Sequence, residues 1–213
     1  MYTPTHFAET RVEVLHDHVR RHPLATLVTQ TAAGELVADH IPMLLCDGPG
    51  PFGTLQGHVA RANPVWSRAR TDIESLAIFH GPAAYVSPSW YATKAETGRV
   101  VPTWDYAVVH AHGVLRPIDD PAWLRSLVER LTNANEAGFP APWQVSDAPA
   151  DYVEKQLRAI VGIELVVTRL AGKWKMSQNQ PDANRAGAIR GLRQLGTEEA
   201  AAVADLIPPP INS

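Results

Sequence analysis

The chain has 213 residues, 45% of them hydrophobic and 19% charged, with a formal net charge of −3 and a single cysteine. This composition suits one globular domain able to bury a substantial core, and its slight negative balance leaves no electrostatic footprint for nucleic acid. One cysteine, Cys46, excludes an intramolecular disulfide and a cysteine-built metal site and reads as a small buried apolar residue; with no signal peptide and no apolar run of membrane length, the expected place is the cytoplasm, off any membrane.

The apolar residues Val12, Leu15 and Val19 recur at helical spacing within Thr10–Arg21, and His22-Pro23 ends that helix because the residue before proline is pushed out of helical geometry. Leu24–Gln30 reads as a strand and Ala33-Gly34 turns it into a second, Leu36–Leu45, in which Pro42 requires an edge position or a bulge. After the turn cluster Asp47-Gly-Pro-Gly-Pro51, a strand over Thr54–Val59 runs into Asn63-Pro64, where asparagine caps and proline opens a helix. Ser75–His80 is a further strand, broken by Gly81-Pro82. The polar stretch Thr93–Arg99 reads as a mobile loop, and a strand from Trp104 to Leu115 follows.

Asp120-Pro121 starts the clearest helix, inserted over 120–132, with Leu124, Leu127, Val128 and Leu131 on one face. A proline-containing loop and a short helix over Tyr152–Arg158 lead to Ile160–Leu170. There Val161, Ile163, Leu165 and Val167 alternate with more polar positions, the pattern of a half-buried antiparallel strand. Ala171-Gly172 is read as a turn, Asp182 as the cap of a helix through Leu195, and Thr197 as the cap of another. Strands in runs without regularly interposed helices imply a mainly β, α+β fold: an antiparallel sheet or small barrel with peripheral helices. Residues 1–170 form its expected body and 171–213 a strand and helical extension packed on it.

Two segments stand out chemically. Tyr85-Val-Ser-Pro-Ser-Trp-Tyr91 and Val101-Pro-Thr-Trp-Asp-Tyr106 hold two of the six tryptophans and three of the five tyrosines. Such clusters suit a core corner, a subunit interface or a planar ligand. Gly172-Lys-Trp-Lys-Met-Ser-Gln-Asn-Gln180 combines two lysines, an indole and three side-chain amides. Trp174 offers a flat wall, and Lys175 or Gln178 a donor to a polar heterocycle edge; a strand end with solvated lysines is the plainer alternative.

In Gly57-His-Val-Ala-Arg-Ala-Asn-Pro64, Arg61 precedes an expected helix N-terminus, which makes this the best anion site in the chain. His110 and His112 share a strand face, yet two ligands do not make a metal site. No phosphate loop, dinucleotide fingerprint, serine-hydrolase elbow or zinc-protease motif is present.

Taken with His22-Pro-Leu-Ala-Thr-Leu-Val28 and Ala159-Ile-Val-Gly162, these motifs resemble the PaiB family in order along nearly the whole chain. The resemblance implies an FMN-binding split β-barrel, related to pyridoxamine-phosphate oxidases and flavin reductases, in a family described as negative transcriptional regulators. It further implies a homodimer with FMN in a groove between the subunits. Carried onto this sequence, it makes Arg61 the main phosphate partner with His58, Ala62 and Asn63 beside it, and has Thr26, His40, Ile41 and Pro42 line the flavin. Pro102, Thr103 and Trp104 become walls from the partner subunit, and Lys175 and Gln178 contacts to the isoalloxazine edge. The sequence departs from the expected family pattern at Asp105, where asparagine is usual.

Two functions compete. One is a flavin-dependent regulator, with DNA as a partner on the strength of the resemblance alone, since Arg185, Arg190 and Arg193 are explained as well by a solvated helix face. The other is an FMN-dependent oxidoreductase or flavin reductase using NAD(P)H, whose chemistry the cofactor would carry. Haem ligation by His110 or His112 is a weaker third.

Overall fold

The computed structural model describes residues 1–210. Its strands are β1 (Ala8–Glu9), β2 (Leu24–Gln30), β3 (Leu36–Pro42), β4 (Leu44–Cys46), β5 (Thr54–Ala60), β6 (Ser75–Val86), β7 (Thr103–Ile118) and β8 (Ile160–Lys175). They join in one antiparallel-paired sheet of order β3-β2-β6-β7-β8-β5-β4, with β1 also on β8. The helices are α1 (Val12–Arg21), α2 (Val65–Arg68), α3 (Thr93–Thr97), α4 (Pro121–Glu136), α5 (Ala150–Arg158), α6 (Asp182–Gln194) and α7 (Glu198–Leu206). The fold is thus mainly β with helices, as the sequence leads one to expect. The chain divides into two compact units: one of Val19–Phe79 with His110–Leu170, and one of Met1–His18, His80–Val109 and the chain from Ala171 on.

The first unit is a barrel. β2 and β3 form a hairpin in register from Leu24↔Pro42 to Gln30↔Leu36, closed by Gly34 in the left-handed region at φ 84°. Alternation drives the burial: Ala25, Leu27 and Thr29 point inward from β2. Pro42 lies on the outermost strand and ends it, so its missing donor breaks no ladder. Only Met43, 1% exposed, separates β3 from β4, yet β4 pairs β5 at the opposite end of the strand order. Consecutive strands can occupy both ends of a sheet only if the sheet curls upon itself. Fully buried Leu27, Met43, Leu55, Phe79, Ile163 and Leu165 fill this unit.

α4 covers β8 from outside. Asp120 caps it, its carboxylate accepting from the Ala122 and Trp123 amides, and Leu124 and Leu127 are buried as their spacing predicts. The helix runs on to Glu136, four residues past the expected end. Leu124 joins Val145, Val153 and Leu157 in a small core. Gly162 leaves the space that the Trp123 ring occupies.

The second unit contains the end of β6, the start of β7 and the last residues of β8, with a helical hairpin of α6 and α7. Its core includes Val86, Tyr91, Met176, Leu192 and Val203. Thr197 caps α7 by accepting from the Ala200 amide.

Three local expectations are corrected in this unit. β6 passes through Gly81-Pro82 unbroken, because β2 pairs it only as far as Phe79 and proline is tolerated where an edge opens. β8 likewise continues through Ala171-Gly172: Gly172 makes room for Leu15 and Trp174 and pairs with Glu9 of β1. Thr93–Thr97 is helical rather than a loop, and Gly98 closes it in the left-handed conformation at φ 65°.

Candidate functional site

The expected site residues fall into a group in each unit. In the barrel unit, Thr26 and His40 are cross-strand partners on β2 and β3, with Thr26 Oγ1 3.2 Å from His40 Nδ1. Ile41 and Pro42 follow, and β5 approaches them closely: a Cβ on Gly57 would stand 2.9 Å from the Pro42 carbonyl oxygen and 3.3 Å from Ile41 Cγ2. Gly57 therefore serves strand packing. His58 is next along β5. Its Nδ1 is buried without a hydrogen-bond partner, and burial holds the imidazole below its ordinary pKa and hence neutral.

The turn after β5 directs its side chains two ways. Asn63 Nδ2 donates to Asp39 Oδ1 of β3 at 2.8 Å, and Asn63 Oδ1 accepts from the Val65 amide. Asn63 thus caps α2 as expected, but the helix is a single turn, Val65–Arg68, and that bond occupies one of its few amides. Arg61 turns elsewhere. Its guanidinium makes a two-pronged ion pair with Asp119, at 2.6 and 2.9 Å, and donates to the carbonyls of Arg158 and Ile160. The pairing pulls the Asp119 carboxyl below its usual range. One guanidinium N–H and considerable exposure remain, on the rim of a 760 Å3 cleft that Leu124, Arg125, Leu157 and Arg158 also line. Ala62 is exposed beside it.

In the second unit, Pro102, Thr103 and Trp104 lead into β7, and Lys175 ends β8. The Lys175 ammonium donates to Thr103 Oγ1 and to the Trp104 carbonyl. Trp104, 57% exposed, meets the exposed Tyr85 edge-on with ring centroids 6.1 Å apart. Gln178 is committed to its own turn, accepting from the Met176 amide and donating to the Trp174 carbonyl. The two halves of the aromatic signature separate: Trp90 lies against Gly187 and Gly191 of α6 and Tyr91 is buried, whereas Tyr85 and Trp104 face outward.

Three aspartates that the sequence did not assign to the site stand beside the expected residues: Asp39, Asp105 and Asp119. Asp39 has a buried, unpartnered Oδ2 next to the bond it makes with Asn63. Asp105 is wholly buried on β7, its Oδ2 accepting from Ser177 at 2.6 Å and its Oδ1 unpartnered, 3.8 Å from Lys175 Nζ. No spacing signal marks an isolated carboxylate in an alternating strand; only the departure from asparagine flagged Asp105. Elsewhere Cys46 is half-buried rather than buried, with Sγ 3.0 Å from Arg130 Nη1. His112 faces Glu74 at 3.9 Å and stands 6.3 Å from His110, ring to ring. Among the described residues no cluster of three metal-ligating side chains occurs, and no helix is long and apolar enough to cross a membrane.

The residues fit a polar planar cofactor in part. Asp39 and the neutral imidazole of His58 each keep an unspent buried polar atom in one unit, that of the Asp39 carboxylate serving only as an acceptor, and Lys175 keeps one N–H in the other. Arg61 and Gln178 are largely spent on the protein itself. An antiparallel barrel of this strand order with helices outside is a split β-barrel, an architecture of flavin-binding proteins. Residues 1–169 match the sequence profile of the family described as "Putative FMN-binding domain".

An uncharacterised protein of Emericella nidulans is 34% identical, covering 97% of this chain and 96% of its own. The "Protease synthase and sporulation protein PAI 2" of Bacillus subtilis is 28% identical with the same coverage of each. The FAD and haem binding protein of Mycobacterium smegmatis shares the fold at a TM-score of 0.57 and 18% identity, over 79% of this chain and 73% of its own. The chain belongs to the PaiB-like family of FMN-binding domains, and its cofactor is a flavin.

Proposed function

We propose that this protein is an FMN-binding regulator of the PaiB type, acting as a cytoplasmic homodimer whose flavin state biases its effect on transcription. The observation that carries this reading is the likeness to the Bacillus sporulation protein along 97% of the chain. In it, His58, Ala62 and Asn63 with Arg61 form the phosphate end, and Thr26, His40, Ile41 and Pro42 line the flavin. Lys175 donates to the isoalloxazine edge, and Gln178 keeps the turn that presents it. Pro102, Thr103 and Trp104 lie at the contact with a second copy. The exposed Tyr85–Trp104 pair and Val101, 73% exposed, support that contact, since outward-facing aromatics of this size suit an interface.

An FMN-dependent oxidoreductase is the second reading. It is favoured by the pair of buried Asp105 and partly exposed Lys175, which can answer the charge that flavin reduction introduces. One anaerobic experiment separates them. NADH or NADPH is added to the FMN-loaded protein, the flavin band is followed, and a gel shift with upstream and random DNA is run in the oxidised and reduced states. A regulator bleaches slowly and shifts DNA differently in the two states; rapid bleaching with turnover on an added acceptor and no shift at low salt selects the enzyme.

A further inference from the structure

The cluster of buried Tyr91, Asp105 and Ser177 with Lys175 at its mouth is more elaborate than a flavin contact requires. Asp105 is 0% exposed, and its Oδ1 has no hydrogen-bond partner. Ser177, itself buried, adopts the left-handed conformation at φ 54° and donates its hydroxyl to Asp105 Oδ2. A left-handed serine is a local strain that persists only where its surroundings hold it. The Tyr91 hydroxyl, also buried, lies by the Ser177 side chain. Lys175 is 24% exposed at the mouth of the cluster, with two of its donors on Thr103 and the Trp104 carbonyl. At 3.8 Å from Asp105 it attracts that carboxylate without a direct hydrogen bond.

We infer that Asp105 is a proton-binding site coupled to Lys175, so that its protonation leaves the ammonium uncompensated and available to an anionic ring edge. With Asp105 ionised, the pair is neutral and the ammonium is held inward. With Asp105 protonated, the same ammonium presents a full positive charge at the mouth. On the flavin reading above, on which this part rests, that anion is the reduced flavin. With FMN bound, a hydride from the nicotinamide donor would leave the flavin with one added negative charge, and Asp105 would take one proton from solvent as its ammonium partner is drawn to that charge, a total of two electrons and two protons.

Burial pushes the Asp105 carboxyl above its usual range, against the Ser177 hydrogen bond and the Lys175 charge. The titratable groups that face it are Lys175 from β8 and Tyr91 from the turn before α3. Burial moves Tyr91 further up, so it stays protonated while Asp105 titrates.

The test has two arms. In flavin-free protein, the Asp105 carboxyl is followed by 13C NMR against pH in the wild type and in Lys175→Met. The inference predicts titration above the ordinary carboxylate range and a further upward move once the ammonium is removed. An ordinary titration, or one indifferent to Lys175→Met, overturns it.

In FMN-loaded protein, the midpoint potential is measured against pH for the wild type and Asp105→Asn, a variant of the same shape that cannot ionise. Two protons per two electrons make the wild-type slope twice that of Asp105→Asn through the Asp105 titration, whereas equal slopes overturn the coupling to flavin. Failure of FMN to bind either protein overturns the flavin reading itself, and the first arm then decides the proton site alone.

Discussion

Arg61 is asked to hold a phosphate while its guanidinium already serves Asp119 and two carbonyls. Both roles are compatible, since those bonds fix the side chain and leave one donor outward, and a guanidinium fixed in place loses less entropy on meeting an anion. Arg61→Ala should then weaken FMN by roughly tenfold or more, the worth of a charged hydrogen bond of about 1.5–3 kcal/mol, and riboflavin hardly at all. Titrating each ligand by flavin fluorescence checks this; an equal loss for both assigns Arg61 to holding Asp119, α5 and β8 together. The turn motif disclosed that a guanidinium belongs here. It could not disclose Asp119, which comes from a loop 58 residues along the chain.

At the scale of elements, glycine governs more packing than turning. Gly57, Gly162 and Gly172 all lie inside strands, each where a side chain or carbonyl of another element approaches. Gly162→Val would drive a branched side chain into the Trp123 ring and lift α4 from β8. We expect a loss of about 1–3 kcal/mol, the usual cost of overpacking, seen as a lower urea midpoint with an unchanged slope.

The same distinction explains what the sequence disclosed. The β2–β3 hairpin, α4 with its Asp120 cap and α7 with its Thr197 cap were legible because period and capping chemistry are local. Gly81-Pro82 and Ala171-Gly172 misled because their meaning rests on which neighbour lies alongside: the end of β2 in one case, Leu15 and β1 in the other. The start of α2 and its Asn63 cap were legible, but nothing in Asn63-Pro64 shows that the helix lasts only one turn.

At the scale of the molecule, the candidate flavin contacts are divided. The barrel unit holds Thr26, His40, Ile41, Pro42, His58, Arg61, Ala62 and Asn63, and the other holds Pro102, Thr103, Trp104, Lys175 and Gln178. Everything specific in the proposed function depends on a flavin being held. The direct test is to purify the protein, release and identify any chromophore, and titrate the stripped protein with FMN. Binding of one FMN per chain, with riboflavin weaker, is the predicted result; protein that carries no flavin and takes up none would contradict it.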